Sequence, residues 1–370
     1  GRRTGDTILW EVGRLLRLGL GSNFELIRMD GMRFLAFSRT ERDPHKPIQE
    51  IRQVISDVYR RNGAHEMYPC VVGMLRSPRD GVTAQELTEN AMTLLRTAKD
   101  CPECEYLEFS PVFGKKERER ADLSMALMAS VTQNFRGFRI VIQPQVIAET
   151  GRMFGGEVLL RWEDEGVNVP PVQFVPILEE TGLIIPVGKW VIEQIALLCQ
   201  ETLPVRPDFK LSFNVSYFQL ADDTLFSFLH KTLARHHVPG WNVMLELTET
   251  HFDSMPGHLE QFIERCREIG LSFALDDFGN AYSSLQLLLK YPADLVKLDR
   301  TLMQKAVSSQ KRRDFIMSIV YACHRFGKKV CMEGVENEEE LSAARKMGAD
   351  FIQGYYFYKP MELDRFHAIL

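Results

Sequence analysis

After residue 137 the chain keeps one rhythm. Short β-rich runs, "FRIVIQPQ", "GGEVLLRW", "KLSFNVS", "NVMLELTE", "LSFALDDF", "DLVKLDR", "KKVCMEGV" and "FIQGYY", alternate with stretches of helical period such as "VGKWVIEQIALLCQ" and "HLEQFIERCREIG". Gly270 and Gly348 stand where such helices should stop. Eight strands with helices between them over about 250 residues is the size of a (β/α)8 barrel. An open doubly wound sheet is the other architecture this rhythm allows. No GxGxxG or GxxxxGK[ST] phosphate loop follows a strand, which weakens that alternative.

Polar residues recur at one place in those runs. Glu157 lies in the second, Asn214 near the end of the third, Glu246 and Glu249 late in the fourth, and Asp276 and Asp277 end the fifth. Lys297 sits in the sixth, Glu333 in the seventh and Gln353 in the eighth. A single acid in a strand can be a satisfied structural group, but seven successive strands repeating the pattern cannot all be explained that way. In a barrel the C-terminal strand ends meet at one mouth, so these groups converge from distant parts of the chain.

Asp276 and Asp277 sharpen the reading. Successive strand residues face opposite sides, so both serve one site only if the chain leaves the strand there. Two adjacent carboxylates call for a cation, a proton or solvent. Glu157, Asn214, Glu246, Asp276, Asp277 and Glu333 are all oxygen donors, a hard set that suits Mg²⁺ or Mn²⁺. Five carboxylates exceed what one divalent ion needs, and a pair of ions fits in-line phosphodiester hydrolysis. Lys297 could orient the attacking water, neutralise charge on phosphoryl oxygens or act as counter-ion to the acids; a general-base role would need a depressed pKa. Arg161 shares a strand face with Glu157 by period two, which suits a substrate phosphate or guanine as well as it suits a structural salt bridge.

Composition sets the remaining bounds. The chain has 370 residues, 45% hydrophobic and 26% charged, which is globular and long enough for two domains. The boundary falls near "SPVFGKKERERADLSMALMASVTQNF", dividing the chain into 1–112 and 113–370. Residues 1–137 carry 21 Lys and Arg against 19 Asp and Glu, and the remainder 24 against 31. An acidic second half argues against duplex DNA or RNA as partner. Seven scattered cysteines fit reduced thiols and a cytoplasmic setting; "CPEC" at 101–104 has CxxC spacing but no second ligand pair. No apolar run is long enough to span a membrane. The opening "GRRTGD" lacks Met, which fits a piece of a longer protein, so a membrane link is expected only through an upstream segment.

At these residues the chain resembles the EAL family of cyclic di-GMP phosphodiesterases. "GGEVLLRW" looks like the naming signature with Val158 in place of Ala, and "FNVS", "ELTE", "LDDFG…YSSL", "VKLD", "EGVE" and "QGYYFYKP" follow in the family's order over residues 113–370. The resemblance implies a barrel whose first strand is antiparallel and two metals, Mg²⁺ or Mn²⁺. It assigns Glu157, Asn214, Glu246, Asp276, Asp277 and Glu333 as ligands, and Lys297 beside the catalytic water. It further implies substrate contacts at Gln143, Arg161 and Gln353, a bracing role for Glu249 on the loop after the fifth strand, and a homodimer. The family follows DDFG with Thr or Ala and then Gly; Asn280 and Ala281 stand here, a departure expected to alter loop dynamics.

Residues 1–112 resemble the later part of a GGDEF domain, with Asp30-Gly31-Met32-Arg33-Phe34 in the signature's place. Met32 and Arg33 replace the acid pair that cyclase chemistry requires, which implies an inactive unit that regulates or dimerises, with GTP or another ligand as a candidate partner, or that serves only as a scaffold. The whole is expected to hydrolyse cyclic di-GMP to linear pGpG. The alternative is a receptor that binds the dinucleotide without cutting it; intact ligand positions favour the enzyme. An unrelated metal-dependent barrel hydrolase would more typically place His at strand ends, and none falls there.

Overall fold

The computed structural model describes residues 2–29, 31–40, 43–61, 70–98, 106–248, 258–278, 288–289, 292–307 and 309–370. Packing divides the chain into two compact units at Asp122/Leu123, inside the helix Pro111–Thr132 that begins beside the expected boundary at 112/113. Among the described residues no helix is long and apolar enough to cross a membrane.

In the first unit, helix Arg2–Leu20 is followed by an antiparallel hairpin, Glu25–Arg28 with Phe34–Phe37. Helix His45–Arg61, helix Ala84–Ala98 and a parallel pair, Gly73–Met74 with Leu107–Glu108, complete it. Val12, Leu16 and Val58 form its buried centre, with Leu26, Phe34 and Val54 packed on them.

The second unit is a closed barrel. Its staves are β1 (Phe138–Ile147), β2 (Met153–Asp164), β3 (Lys210–Asn214), β4 (Val243–Thr248), β5 (Ser272–Phe278), β6 (Leu295–Leu298), β7 (Lys329–Glu333) and β8 (Phe351–Gln353). Strands β2 to β8 are parallel in chain order, while β1 closes the ring antiparallel to both β2 and β8. All eight staves coincide with the runs read from the sequence, and the antiparallel first strand matches the expectation. A short strand, Val167–Val169, folds back on the end of β2. Gly155 is where β2 meets β3 closely: a Cβ there would lie 2.4 Å from the Lys210 carbonyl oxygen.

Alternation along the staves separates two environments. Outward-facing Phe213, Leu245, Leu247, Phe273, Leu275, Val296, Leu298, Val330, Met332 and Ile352 bury against helix residues including Phe174, Ile195, Leu229, Ile263, Ile319 and Leu341. Each large apolar side chain buried this way contributes roughly 1.5–3 kcal/mol. Helices Ile184–Thr202 and His258–Glu268 cover the two helical-period segments, and Gly270 and Gly348 take φ +87° and +89° at helix exits. Asp294 and Asp350 lock the strand starts: each carboxylate accepts a backbone N–H, from Phe273 and Val330 respectively, at 2.9 Å.

Candidate active site

The inward-facing positions build a graded site. Met244, Ala274, Leu295 and Cys331 pack together as a small apolar plug, with Phe351 against them. Two residues further along the same staves come Glu246, Asp276, Lys297, Glu333 and Gln353, and β2 and β3 add Glu157 and Asn214. Period two carries each of these side chains to the barrel axis just beyond the plug. Glu246 and Lys297 are the deepest, Glu157, Asp276 and Gln353 are buried above them, and Asn214 and Asp277 reach solvent at the rim.

Lys297 lies at the centre. Its Nζ is 2.5 Å from Glu246 Oε2, 2.8 Å from Glu333 Oε1, 3.1 Å from Glu157 Oε2 and 3.2 Å from Asp276 Oδ1. Burial alone would lower its pKa, but the charges of Asp276, Glu157, Glu246 and Glu333 hold it well above the usual lysine range. An ammonium among these carboxylates suits orienting and neutralising roles. Glu157 accepts from Asn214 Nδ2 at 2.8 Å and Gln353 Nε2 at 2.7 Å. Burial opposes its ionisation, yet Lys297 and these donors together hold its pKa below the ordinary value.

The other acids are under-compensated. Burial, reinforced by the charge of Glu157, pushes Glu246 well up; burial, with Asp276 and Glu157 adding, pushes Glu333 up to about 8. Asp277 is raised by burial and by the charges of Asp276 and Asp299. Five carboxylates around one ammonium leave four uncompensated negative charges when all are ionised.

The strand geometry answers the Asp276-Asp277 question. Pairing of β5 with β6 shifts register between Leu275 and Phe278, and Asp277 takes φ +54°, the left-handed region that Asp tolerates better than most residues. The bulge turns both carboxylates toward the mouth, where ligand oxygens of Asp276, Asp277 and Glu333 lie within 4.8 Å of one another. Glu246 Oε1 is fully buried and accepts no hydrogen bond. Clustered hard oxygens, an orphaned buried carboxylate oxygen and excess negative charge all fit divalent cations.

Gln143 and Gln353 join this network, Gln353 Nε2 donating to Gln143 Oε1 at 3.1 Å and Gln143 Nε2 to the Tyr358 carbonyl at 3.2 Å. Half-buried Arg161 donates from Nη1 to the Leu160 carbonyl at 2.8 Å; burial lowers its pKa, partly opposed by the charge of Glu157. The structure thus gathers ten of the eleven site residues read from the sequence around one mouth. Glu249 lies outside the described residues, as do Asn280, Ala281, Cys101 and Cys104. Two contributors were missed. Gln145 is buried and donates to Gln353 Oε1 at 2.8 Å, and period two from Gln143 was the available signal. Asp299 acts through its charge on Asp277 and follows Lys297 by the same spacing.

The EAL domain family model matches residues 124–360. The bifunctional diguanylate cyclase/cyclic di-GMP phosphodiesterase MucR of Pseudomonas aeruginosa is 28% identical over 373 residues, 100% of this chain and 54% of its own length. The cyclic di-GMP phosphodiesterase PdeR of Escherichia coli is 28% identical over 366 residues, 98% of this chain and 55% of its own. A solved structure of the PaMucR phosphodiesterase in complex with c-di-GMP matches with a TM-score of 0.61 at 29% identity, covering 66% of this chain and 99% of that one. The chain spans about half the length of these curated relatives.

Proposed function

The chain belongs to the EAL domain family, and from that premise we propose that it is a phosphodiesterase that hydrolyses cyclic di-GMP to linear pGpG. The observation that carries this reading is the ring of carboxylates around Lys297 at one barrel mouth. Glu157, Glu246, Asp276, Asp277, Glu333 and the side-chain oxygen of Asn214 are the residues that would hold two divalent cations, Mg²⁺ or Mn²⁺. Bound there, the ions supply Lewis acidity and an ionised water for in-line displacement at phosphorus.

The chain's own groups do the rest. Lys297, fixed as an ammonium, orients the incoming water and stabilises negative charge as it develops on the phosphoryl oxygens. Arg161 and the amides of Gln143 and Gln353 border the mouth and position the dinucleotide. Gln353 and Asn214 keep Glu157 ionised and aimed. Glu249 is assigned the bracing of the loop after β5, on the family resemblance alone.

Residues 1–112 form a GGDEF-like unit without cyclase activity in this reading. Its support is the hairpin whose turn carries Met32 and Arg33 where an acid pair would be needed. It regulates the barrel, through GTP or another ligand, in a homodimer. Free thiols at all five described cysteines fit a cytoplasmic site of action, with any membrane link through an upstream segment.

Incubation with cyclic di-GMP and Mg²⁺ or Mn²⁺, followed by chromatography, tests the proposal. The expected product is pGpG, formed only with metal. Tight dinucleotide binding without product would replace the enzyme by a receptor.

A further inference from the structure

Lys297 Nζ lies within 3.2 Å of oxygens from four carboxylates, so its three N–H donors cannot satisfy all four at once. Lys297 pairs with Cys331 in the strand register, and the side chain is 1% exposed. An ammonium held this way cannot swing out to solvent. A cation entering the mouth meets four oxygens, Glu157 Oε2, Glu246 Oε2, Asp276 Oδ1 and Glu333 Oε1, that already lie within 3.2 Å of Nζ. It also meets Glu246 Oε1, which accepts no hydrogen bond, and the carboxylate of Asp277.

We propose that Lys297 is a built-in counter-ion that competes with divalent cations for the acidic ring, holding the mouth together before metal arrives and setting how tightly metal then binds. The inference rests on the metal-binding reading of this mouth and deepens it. Lys297 and metal then act as partial substitutes: each relieves the repulsion among the same acids, and each weakens the hold of the other.

The test compares wild type with Lys297→Met by Mn²⁺ titration calorimetry and by thermal unfolding in EDTA and in saturating Mn²⁺. The variant is expected to bind Mn²⁺ about tenfold tighter or more, since a like charge has left the site. In EDTA it should melt about 5–10 °C lower than wild type, a gap that narrows with Mn²⁺. Equal or weaker Mn²⁺ binding by the variant, or the same melting gap in both conditions, overturns the inference. If Lys297→Met does not fold in EDTA, the charge-reduced double variant Glu246→Gln/Lys297→Met is expected to recover stability there. A double variant no more stable than the single one makes Lys297 a packing residue and overturns the inference too. Absence of Mn²⁺ binding by wild type would instead sink the metal reading itself.

Discussion

Met244, Ala274, Leu295 and Cys331 stand two residues before Glu246, Asp276, Lys297 and Glu333 on the same four strands, and the two sets face the same axis. The lower set is small, apolar and packed to exclude water. The upper set concentrates charge that only an ammonium, and in the proposed function metal, makes tolerable. A dry floor beneath an acidic ring lowers the local dielectric and strengthens every interaction above it. The contrast teaches that function here depends on charge crowding, while stability depends on the layer below and the shell outside.

The largest effect should come from the upper layer. Glu157→Ala is expected to abolish pGpG formation while circular dichroism and the melting profile stay close to wild type; retained turnover would remove Glu157 from the mechanism. Next comes an acid placed in the floor. Ala274→Asp buries a charge without a partner and should cost about 3–5 kcal/mol in denaturant unfolding, where a change below about 1 kcal/mol would mean that the floor is wet.

Between the layers lies Gln145. Gln145→Leu removes the donor that orients Gln353 and is expected to lower turnover about 10–100-fold with little change in stability, measured by steady-state kinetics beside unfolding. The smallest effect is at the strand starts, far from chemistry. Burial raises the Asp350 pKa, but its bonds to Lys329 and His324 outweigh this and leave it below the ordinary value. A depressed folded pKa gives stability that is full above the unfolded carboxylate pKa and is lost as pH falls through the folded one. Asp350→Asn should therefore cost about 1–2 kcal/mol at neutral pH, and the difference from wild type should close in acid.

Much of this was legible in the sequence because it is local. Eight runs of β character bounded by helical period give the staves, and an acid, amide or lysine at a fixed place in seven of them gives the mouth. Gln145 was legible in principle, two residues from Gln143, but a glutamine in an apolar run carries no chemistry until its partner is known. The charge of Asp299 on Asp277 was hidden for the same reason. Even Lys297 had several readings, because a lysine's protonation depends on how many carboxylates surround it and at what distance.

By itself the sequence determined the strand count, the facing of each residue and the oxygen chemistry of the mouth, since these follow from periods of two and 3.6 within single elements. Only the tertiary structure decided that four acids share one ammonium, that Asp277 turns inward at a bulge, and that Gln353 reaches Glu157 from 196 residues away. The reason is that Coulomb and hydrogen-bond energies depend on distance through space, and closure of the barrel sets those distances.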